Sequence, residues 1–142
     1  MIHAIANRRS TTWGFRSVSF WLALIIGVGI IYIGINGILH PDAAAAGYGM
    51  PLHQASDFPF VRIKAVRDIV SGLFLFAFLL LKKPRETSIL VFIATLIPIG
   101  DFLLVLLTGD RQMVHLAIHG GTAIYMLIVG CLLYWQSSRE NQ

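Results

Sequence analysis

The 142-residue chain is 56% hydrophobic and only 13% charged, with a formal net charge of +4. Soluble domains contain about 25% charged residues, so this composition excludes a water-soluble domain and indicates an integral membrane protein. The basic residues cluster at the ends of apolar runs and do not alternate with aromatic residues on a polar face, which excludes a nucleic-acid-binding surface. The single cysteine, Cys131, excludes a disulfide framework and a paired-cysteine metal site.

Four apolar stretches follow one another along the chain, and each has about the 20 residues needed to cross a bilayer as a helix. None shows the alternation that is typical of a membrane β-barrel strand. The second and third connections are short, so the sequence predicts an all-α, integral membrane four-helix up-down bundle. It is a single domain, residues 18–135, whose predicted spans are 18–39, 63–81, 88–107 and 113–135.

Basic residues set the predicted orientation, because cytoplasmic segments of membrane proteins carry an excess of lysine and arginine. The tail 1–17 is basic, and the tail 136–142 has one arginine. The connection between the second and third spans has three basic residues, Lys82, Lys83 and Arg85. We therefore predict that both tails are cytoplasmic and that the protein lies in a bacterial inner membrane.

The connection between the first two spans, residues 40–60, is the longest and lies on the predicted outer side. Pro41 at a first helical position, Asp42 near a helix start and the four alanines after it favour a short helix. Glycine and proline residues are predicted to end this helix, namely Gly47, Gly49 and Pro51. Two interpretations remain open: an interfacial helix that anchors the connection, or a lid over a ligand site.

Ionisable residues lie within the predicted spans, where each is costly unless it faces the protein interior and finds a partner. At 1.5 Å per residue, Asp68 and Asp101 both lie about 21 Å from the cytoplasmic ends of their helices, and His119 about 24 Å. These residues share one layer near the outer leaflet. Arg67 adjoins the layer, and its simplest partner is Asp101 on the neighbouring helix, although the choice of carboxylate stays open.

The predicted catalytic residues are therefore Arg67, Asp68, Asp101 and His119. An aspartate and a histidine in a poorly solvated site can exchange a proton, and an arginine can hold an anionic or carbonyl oxygen. Polar and small residues near the same layer are predicted to bind the ligand: Asn36, Ser71, Gly72, His115, Gly120 and Thr122.

A metal site is the alternative interpretation of the two histidines in the last span. His115 and His119 are four residues apart, which is the spacing of a two-histidine ligand pair on a helix. The glutamate of the zincin motif does not stand between them, so we predict no metal ligands and leave the cofactor unknown. His115 also fits an ordinary position at the membrane interface.

Three motifs carry a family resemblance: YIGINGILHPDAAAAGYGMP, IKAVRDIVSGLFLF and PIGDFLLV, followed by a histidine in the last helix. Over residues 27–134 the chain resembles a family of small four-span membrane proteins of unknown function, distantly similar to the DoxX-like group. The pattern consists of Pro41, Gly49, Pro51, Arg67, Asp68, Gly72, Asp101 and His119. DoxX-like proteins include membrane partners of quinone-linked oxidoreductases, so the resemblance implies a lipophilic ligand or a redox partner.

Three functions remain open, and whether the protein is an enzyme is not decided by the sequence. The first is binding or transformation of a lipophilic small molecule by proton transfer in the polar site. The others are a small proton-coupled transporter and a non-catalytic membrane subunit of a quinone-linked oxidoreductase. The first is favoured because the cytoplasmic two-thirds of the spans is almost wholly apolar, which predicts a pocket that opens outward. Expected partners are the lipid bilayer, a lipophilic ligand, and a second copy or a membrane partner subunit.

Overall fold

Helices make up almost all of the computed structural model, which describes residues 13–109 and 111–140. The predicted basic tail lies largely outside these described residues. A 3-10 turn, Ala55–Asp57, precedes the third helix, and no strand occurs in the described part of the chain. The α-helices are α1 Val18–Leu39, α2 Pro41–Tyr48, α3 Phe58–Leu80, α4 Pro84–Ala94, α5 Leu96–Thr108 and α6 Met113–Glu140.

Three helical segments of the described chain are long and apolar enough to cross a membrane: Val18–Leu39, Pro84–Thr108 and Met113–Arg139. They indicate an integral membrane protein. The remaining long helix, α3, has 23 residues, but four charged residues lie in its first half, namely Arg62, Lys64, Arg67 and Asp68. The second predicted span, residues 63–81, therefore stays a prediction.

The ends of α3 and α6 differ from the predicted spans. Helix α3 begins at Phe58, five residues before the apolar run, with Pro59 in its first turn. Proline is favoured there because the first amide groups of a helix have no partner within it. Arg62 and Lys64 interrupt the apolar pattern without interrupting the helix. Helix α6 continues beyond residue 135 to Glu140, because polar residues at a helix end do not themselves stop it.

The third predicted span is interrupted at Thr95, which separates α4 from α5. Pro98 has no amide hydrogen to donate to the carbonyl of Ala94, and its ring crowds that carbonyl. The Thr95 hydroxyl donates to the carbonyl of Val91 at 2.7 Å, in addition to the regular bond from the Thr95 amide at 2.9 Å. A hydroxyl that shares the carbonyl of the preceding turn often bends a helix, so the interruption has a local cause.

Glycine residues bring α1 and α3 into close contact. A Cβ atom on Gly34 would lie 2.6 Å from the carbonyl oxygen of Ala65, and one on Gly72 would lie 3.0 Å from that of Gly27. The second contact between long helices joins α4 to α6, where the Ser88 hydroxyl donates to a backbone carbonyl of α6 at 2.9 Å. The helices thus form an α1–α3 pair and an α4–α5–α6 group.

The best-packed core lies at one end of the two groups. Trp13 is 1% exposed, and its indole N–H donates to the Ser19 hydroxyl at 3.0 Å. Leu79, Val91 and Leu133 are buried beside it. This end contains the start of α1, the end of α3, the start of α4 and the end of α6, so α2 belongs to the opposite end.

Helix α2 packs against α1 and α3, and its carboxyl-terminal end reaches the α4–α5–α6 group. Gly47 lies within the helix, contrary to the prediction that it ends it, because a glycine in a helix interior only weakens the helix. Helix α2 ends at Tyr48, and the capping residue Gly49 has a left-handed φ of 92°. A Cβ atom on Gly109 would lie 2.7 Å from the Gly49 carbonyl oxygen, and one on Gly49 would lie 3.0 Å from His115.

Candidate functional site

A cavity of about 370 Å³ lies between the α1–α3 pair and the α4–α5–α6 group. Its volume falls near the lower end of the range for small-molecule sites. Most of its wall is apolar, from residues such as Ile30, Leu75 and Met126. Polar side chains gather at the end near α2, and we call them the polar end: Tyr48, Lys64, Asp68, Ser71, Asp101, His119 and Thr122.

The centre of the polar end joins α2 to α5 and α6. The Tyr48 hydroxyl donates a hydrogen bond to Asp101 Oδ1 at 2.5 Å. The ring nitrogen Nε2 of His119 lies 3.0 Å from the Tyr48 carbonyl oxygen, and the two aromatic rings meet edge to face at 4.6 Å. Tyr48 therefore contacts two of the four predicted catalytic residues: Asp101 through its hydroxyl, and His119 through its carbonyl and its ring.

The hydrogen bond to Tyr48 fixes the tautomer of neutral His119. A carbonyl oxygen only accepts, so Nε2 must carry the hydrogen that it donates. In the neutral ring Nδ1 is then an acceptor, and it lies 4.0 Å from Asp101 Oδ2. This separation is too long for a hydrogen bond. The pair thus presents two acceptor atoms that face one another across a gap, with His119 8% exposed.

An ion pair on α3 forms the other side of the polar end. Lys64 Nζ lies 2.8 Å from Asp68 Oδ2, four residues later on the same helix face. The ammonium group also lies 5.2 Å from the centroid of the Tyr48 ring. Its side chain is 36% exposed and that of Asp68 is 17% exposed. Lys64 therefore neutralises Asp68, the role that the sequence had left to Arg67 or His119.

Arg67 does not belong to the site, which corrects the predicted arrangement. Its side chain is exposed and does not line the cavity. Adjacent residues on a helix are turned about 100° from one another, so Arg67 and Asp68 cannot face the same point. Asp101, the predicted partner of Arg67, contacts Tyr48 and His119 instead.

The predicted ligand-binding residues divide into two groups. Ser71 and Thr122 line the cavity, and each hydroxyl donates to the carbonyl four residues earlier in its own helix. The other four predicted residues do not line it: Asn36, Gly72, His115 and Gly120. Gly72 is covered by α1, and His115 contacts Gly49. Phe102 packs against Gly120, so a helix contact occupies the space predicted for a ligand.

Tyr48 and Lys64 are functional candidates that the sequence interpretation missed. The spacing of Lys64 and Asp68 is a signal that was available, because oppositely charged residues four apart on a helix are neighbours. For Tyr48, a lone tyrosine at the end of an alanine-rich helix was the only local signal. Its importance comes from the placement of α2 over α5 and α6, which the sequence pattern does not encode locally.

Burial and acidic neighbours keep the Tyr48 hydroxyl protonated. Desolvation raises its pKa above the usual value for a tyrosine, and the hydrogen bond and negative charge of Asp101 and the charge of Asp68 raise the pKa further. Tyr48 therefore acts as a hydrogen-bond donor throughout the pH range in which proteins are usually handled. Among the described residues, no group of three or more His, Cys, Asp or Glu side chains is arranged to hold a metal ion.

Comparison with known proteins gives one family. A family model described as a domain of unknown function, DUF4267, matches residues 27–133. The chain belongs to this family. No curated protein and no solved structure matches the chain. The predicted membership of a family of unknown function is thus confirmed, whereas the more distant similarity to the DoxX-like group stays a prediction.

The DUF4267 region includes all seven residues of the polar end, since they lie between Tyr48 and Thr122. It also includes the apolar wall from Ile30 to Met126, and Ile26 is the one lining residue just outside it. The family match therefore covers the cavity almost completely, whereas most of the buried Trp13 end of α1 lies outside it. The cavity is accordingly a feature of the domain and not of the tails.

Proposed function

We propose that this DUF4267 protein binds a lipophilic small molecule in the cavity and acts on it by proton transfer. The supporting observation is that a single cavity combines a long apolar wall with one polar end. Such a cavity accommodates a molecule with an apolar body and one polar head. The head would lie beside Asp101 and His119, near the outer leaflet.

In this proposal α3 is also a membrane span, which completes a four-span up-down bundle. Helix α2 covers the outer mouth of the cavity. The ion pair between Lys64 and Asp68 makes the span less costly, because paired charges that face a cavity are tolerated within a membrane. The close contact of α1 with α3 supports antiparallel placement of the two helices side by side in the bilayer. Contacts of Gly49 with Gly109 and His115 support the placement of α2 over the cavity.

The ligand would enter from the bilayer between α3 and the α4–α5 segment. Three cavity-lining residues at this seam are largely exposed: Phe74 at 59%, Ile93 at 62% and Ile97 at 47%. Residues that are both exposed and part of the cavity wall mark an opening to the surroundings. In a membrane those surroundings are hydrocarbon, where a lipophilic molecule is already concentrated.

Proton transfer would involve Asp101 and His119. Asp101 Oδ2 and His119 Nδ1 are 4.0 Å apart, so a ligand head placed between them can lose a proton to one atom. The hydrogen bond from Tyr48 occupies the other carboxylate oxygen of Asp101, Oδ1, so Oδ2 remains to accept the proton. An exchange of protons between two such groups is typical of general acid–base catalysis, including isomerisation.

A path for transported protons would have to continue to the other membrane face. The opposite end of the helices is closed by Leu79, Val91 and Leu133, of which the first two are 1% exposed and the third fully buried. An apolar plug of this kind favours a pocket over an alternating-access pathway. Proton flux into liposomes that contain the purified protein is therefore expected to stay at the level of empty liposomes.

The proposal is tested by identifying lipophilic molecules that copurify with the protein. We would extract the protein in mild detergent and analyse the bound organic molecules by mass spectrometry. Ala94→Trp places a large side chain at the cavity wall, which should fill the cavity and exclude the bound molecule. Ile89→Trp is the matched control, because Ile89 is on the same helix, 50% exposed and outside the cavity.

Retention of one species by the wild type and Ile89→Trp, with its loss from Ala94→Trp, is the expected result. Thermal unfolding would verify that all three proteins are folded. Identical extracts from the three proteins would mean that only annular lipid is bound, and the cavity would then not be a ligand site.

A further inference from the structure

We infer that the ligand of this cavity carries a hydrogen-bond donor head, a hydroxyl or amino group, and that the site discriminates against carboxylates and ethers of equal length. This inference rests on the proposed function and specifies the class of molecule. It follows from how the hydrogen-bond donors and acceptors of the polar end are already used.

The two strongest donors at the centre of the site are used within the protein. The Tyr48 hydroxyl donates to Asp101 Oδ1 at 2.5 Å. His119 donates its Nε2 hydrogen to the Tyr48 carbonyl oxygen at 3.0 Å. Each of these groups has a single hydrogen to donate when His119 is neutral. A ligand oxygen or carboxylate would therefore find no free donor there.

The two aliphatic hydroxyl groups are used in the same way. Ser71 donates to the carbonyl of Arg67 at 2.8 Å, and Thr122 donates to that of Ile118 at 2.7 Å. A hydroxyl has one hydrogen but two lone pairs. Both side chains therefore present only acceptor capacity to the cavity.

Lys64 is the remaining source of donors, and its charge is already balanced. Its ammonium group lies 2.8 Å from Asp68 Oδ2 and faces the ring of Tyr48. With one lysine and two aspartates, Asp68 and Asp101, the ionised polar end carries one excess negative charge. An anionic head would meet this charge in a poorly solvated site, where repulsion between like charges is strong.

Acceptors without a donor remain at the point where a ligand head would lie. Asp101 Oδ2 and His119 Nδ1 are 4.0 Å apart and are not hydrogen-bonded to each other. A hydroxyl or ammonium hydrogen placed between them gives one or both a donor. A group that leaves buried acceptors unpaired loses binding free energy, which makes a donor head selective.

The experiment compares four ligands that each contain a ten-carbon chain: decanol, decylamine, decyl methyl ether and decanoate. Their binding is measured by calorimetry with the protein in phosphatidylcholine nanodiscs at about pH 8, and the signal of empty nanodiscs is subtracted to remove partitioning into lipid. We expect decanol, decylamine or both to bind at least about tenfold more tightly than the ether and decanoate, since one satisfied polar contact is worth about this factor.

A variant pair links this preference to the site. Asp101→Asn replaces an acceptor oxygen by an N–H donor, so the ether and decanoate should gain affinity relative to decanol. Arg67→Gln is the control, because Arg67 is exposed and outside the cavity, and it should leave the order of ligands unchanged. If Asp101→Asn fails to fold, the wild-type ligand series decides the inference by itself.

The outcomes separate the inference from the proposed function. Tightest binding of decanoate or the ether, or equal binding of all four, would overturn the donor-head inference while leaving a lipophilic site. Absence of saturable binding for all four, together with identical extracts from the cavity-filling and control variants, would overturn the proposed function itself. Binding of decylamine but not decanol would support the inference and identify the head as a cation.

Discussion

Tyr48 has more contacts with the polar end than any residue predicted to be catalytic. Its hydroxyl donates to Asp101, its carbonyl accepts from His119, and Lys64 faces its ring. Because it stands on α2, these contacts fasten a short helix outside the predicted spans to three longer ones. The hydroxyl also supplies a partly buried carboxylate with a donor, so its removal leaves an acceptor oxygen without its partner.

Tyr48→Phe should therefore lower the free energy of unfolding by about 1–3 kcal/mol, the cost of leaving a partly buried acceptor without its donor. Thermal unfolding in detergent at neutral pH measures the loss. Tyr32→Phe is the matched control, because Tyr32 is 71% exposed. Equal melting temperatures for the two variants would contradict the assigned role of the hydroxyl.

The same variant has a defined pH dependence. The pKa of Tyr48 is raised in the folded protein, first by burial and then by Asp101. A raised pKa means that the protonated group stabilises the fold fully below the unfolded pKa, 10.0, and progressively less as the pH rises above it. The stability difference between wild type and Tyr48→Phe should thus be constant up to about pH 10 and narrow beyond it.

Arg67 and Asp101 should behave as independent residues. Arg67→Gln is expected to change the free energy of unfolding by less than about 0.5 kcal/mol, as for other exposed positions. Asp101→Asn should be clearly destabilising, because it replaces the acceptor of Tyr48. The double variant should equal the sum of the single changes within about 0.5 kcal/mol. A coupling energy well above this value would instead support the ion pair between Arg67 and Asp101 that the sequence suggested.

Residue spacing explains which parts of the site were predictable. Asp68, Asp101 and His119 were expected at one place because an ionisable residue in an apolar span needs an interior partner, and all three line the cavity. Arg67 lies outside the cavity, because a prediction from depth along a helix takes no account of rotation around it. Lys64 matches Asp68 in both depth and rotation, since it is one turn from Asp68 on the same helix face.

At the level of elements, the α1–α3 contact depends on backbone atoms that approach closely. Gly34 faces the Ala65 carbonyl and the Ile69 side chain, each 2.6 Å from the position of a Cβ atom. A methyl group at this position must separate the helices. Gly29 is on the same helix with no atom within 4 Å of its Cβ position, so it provides an internal comparison.

Gly34→Ala should destabilise the protein by about 1–3 kcal/mol through overpacking. Gly29→Ala should be neutral or slightly stabilising, because alanine favours a helix more than glycine does. Unfolding of both variants in the same detergent measures the difference. A similar effect of the two substitutions would show that α1 does not rely on this contact.

Element boundaries were predictable where a local chemical signal was present. Pro41 and Gly49 delimited α2 correctly, because each has a backbone preference that acts at one position. The start of α3 was placed too late, since the apolar run was used and Pro59 was not. The break at Thr95 lies within an apolar stretch, and Pro98 was its only sign.

For the whole molecule, packing is uneven between the two ends. The end that contains Trp13 and Leu133 is closely packed, whereas the α2 end contains the cavity. All-α composition and membrane insertion followed from the sequence because they depend on totals of apolar residues. A pocket was predicted from the apolar inner parts of the spans, but its lining was not, because the lining depends on which side chains are absent between the two helix groups.

Topology is testable with single cysteines introduced after Cys131→Ser removes the exposed native thiol. Arg85→Cys places a thiol in the first turn of α4, on the predicted cytoplasmic side, and it should react with a membrane-impermeant maleimide only after cells are permeabilised. Met113→Cys, at an 80% exposed position at the start of α6, should react in intact cells. The reverse labelling would invert the proposed orientation.

A second cavity, of about 270 Å³, lies between α1, α2 and α3 on the far side of Tyr48. Tyr48, Lys64 and Asp68 form part of the wall of both cavities. Rotation of the Tyr48 side chain would break its bond to Asp101 but leave the backbone bond to His119 intact. The Tyr48 side chain between the two cavities can therefore move while α2 remains docked. Under the proposed function, the residence time of a bound molecule should depend on one phenol hydrogen bond and not on unfolding of a helix.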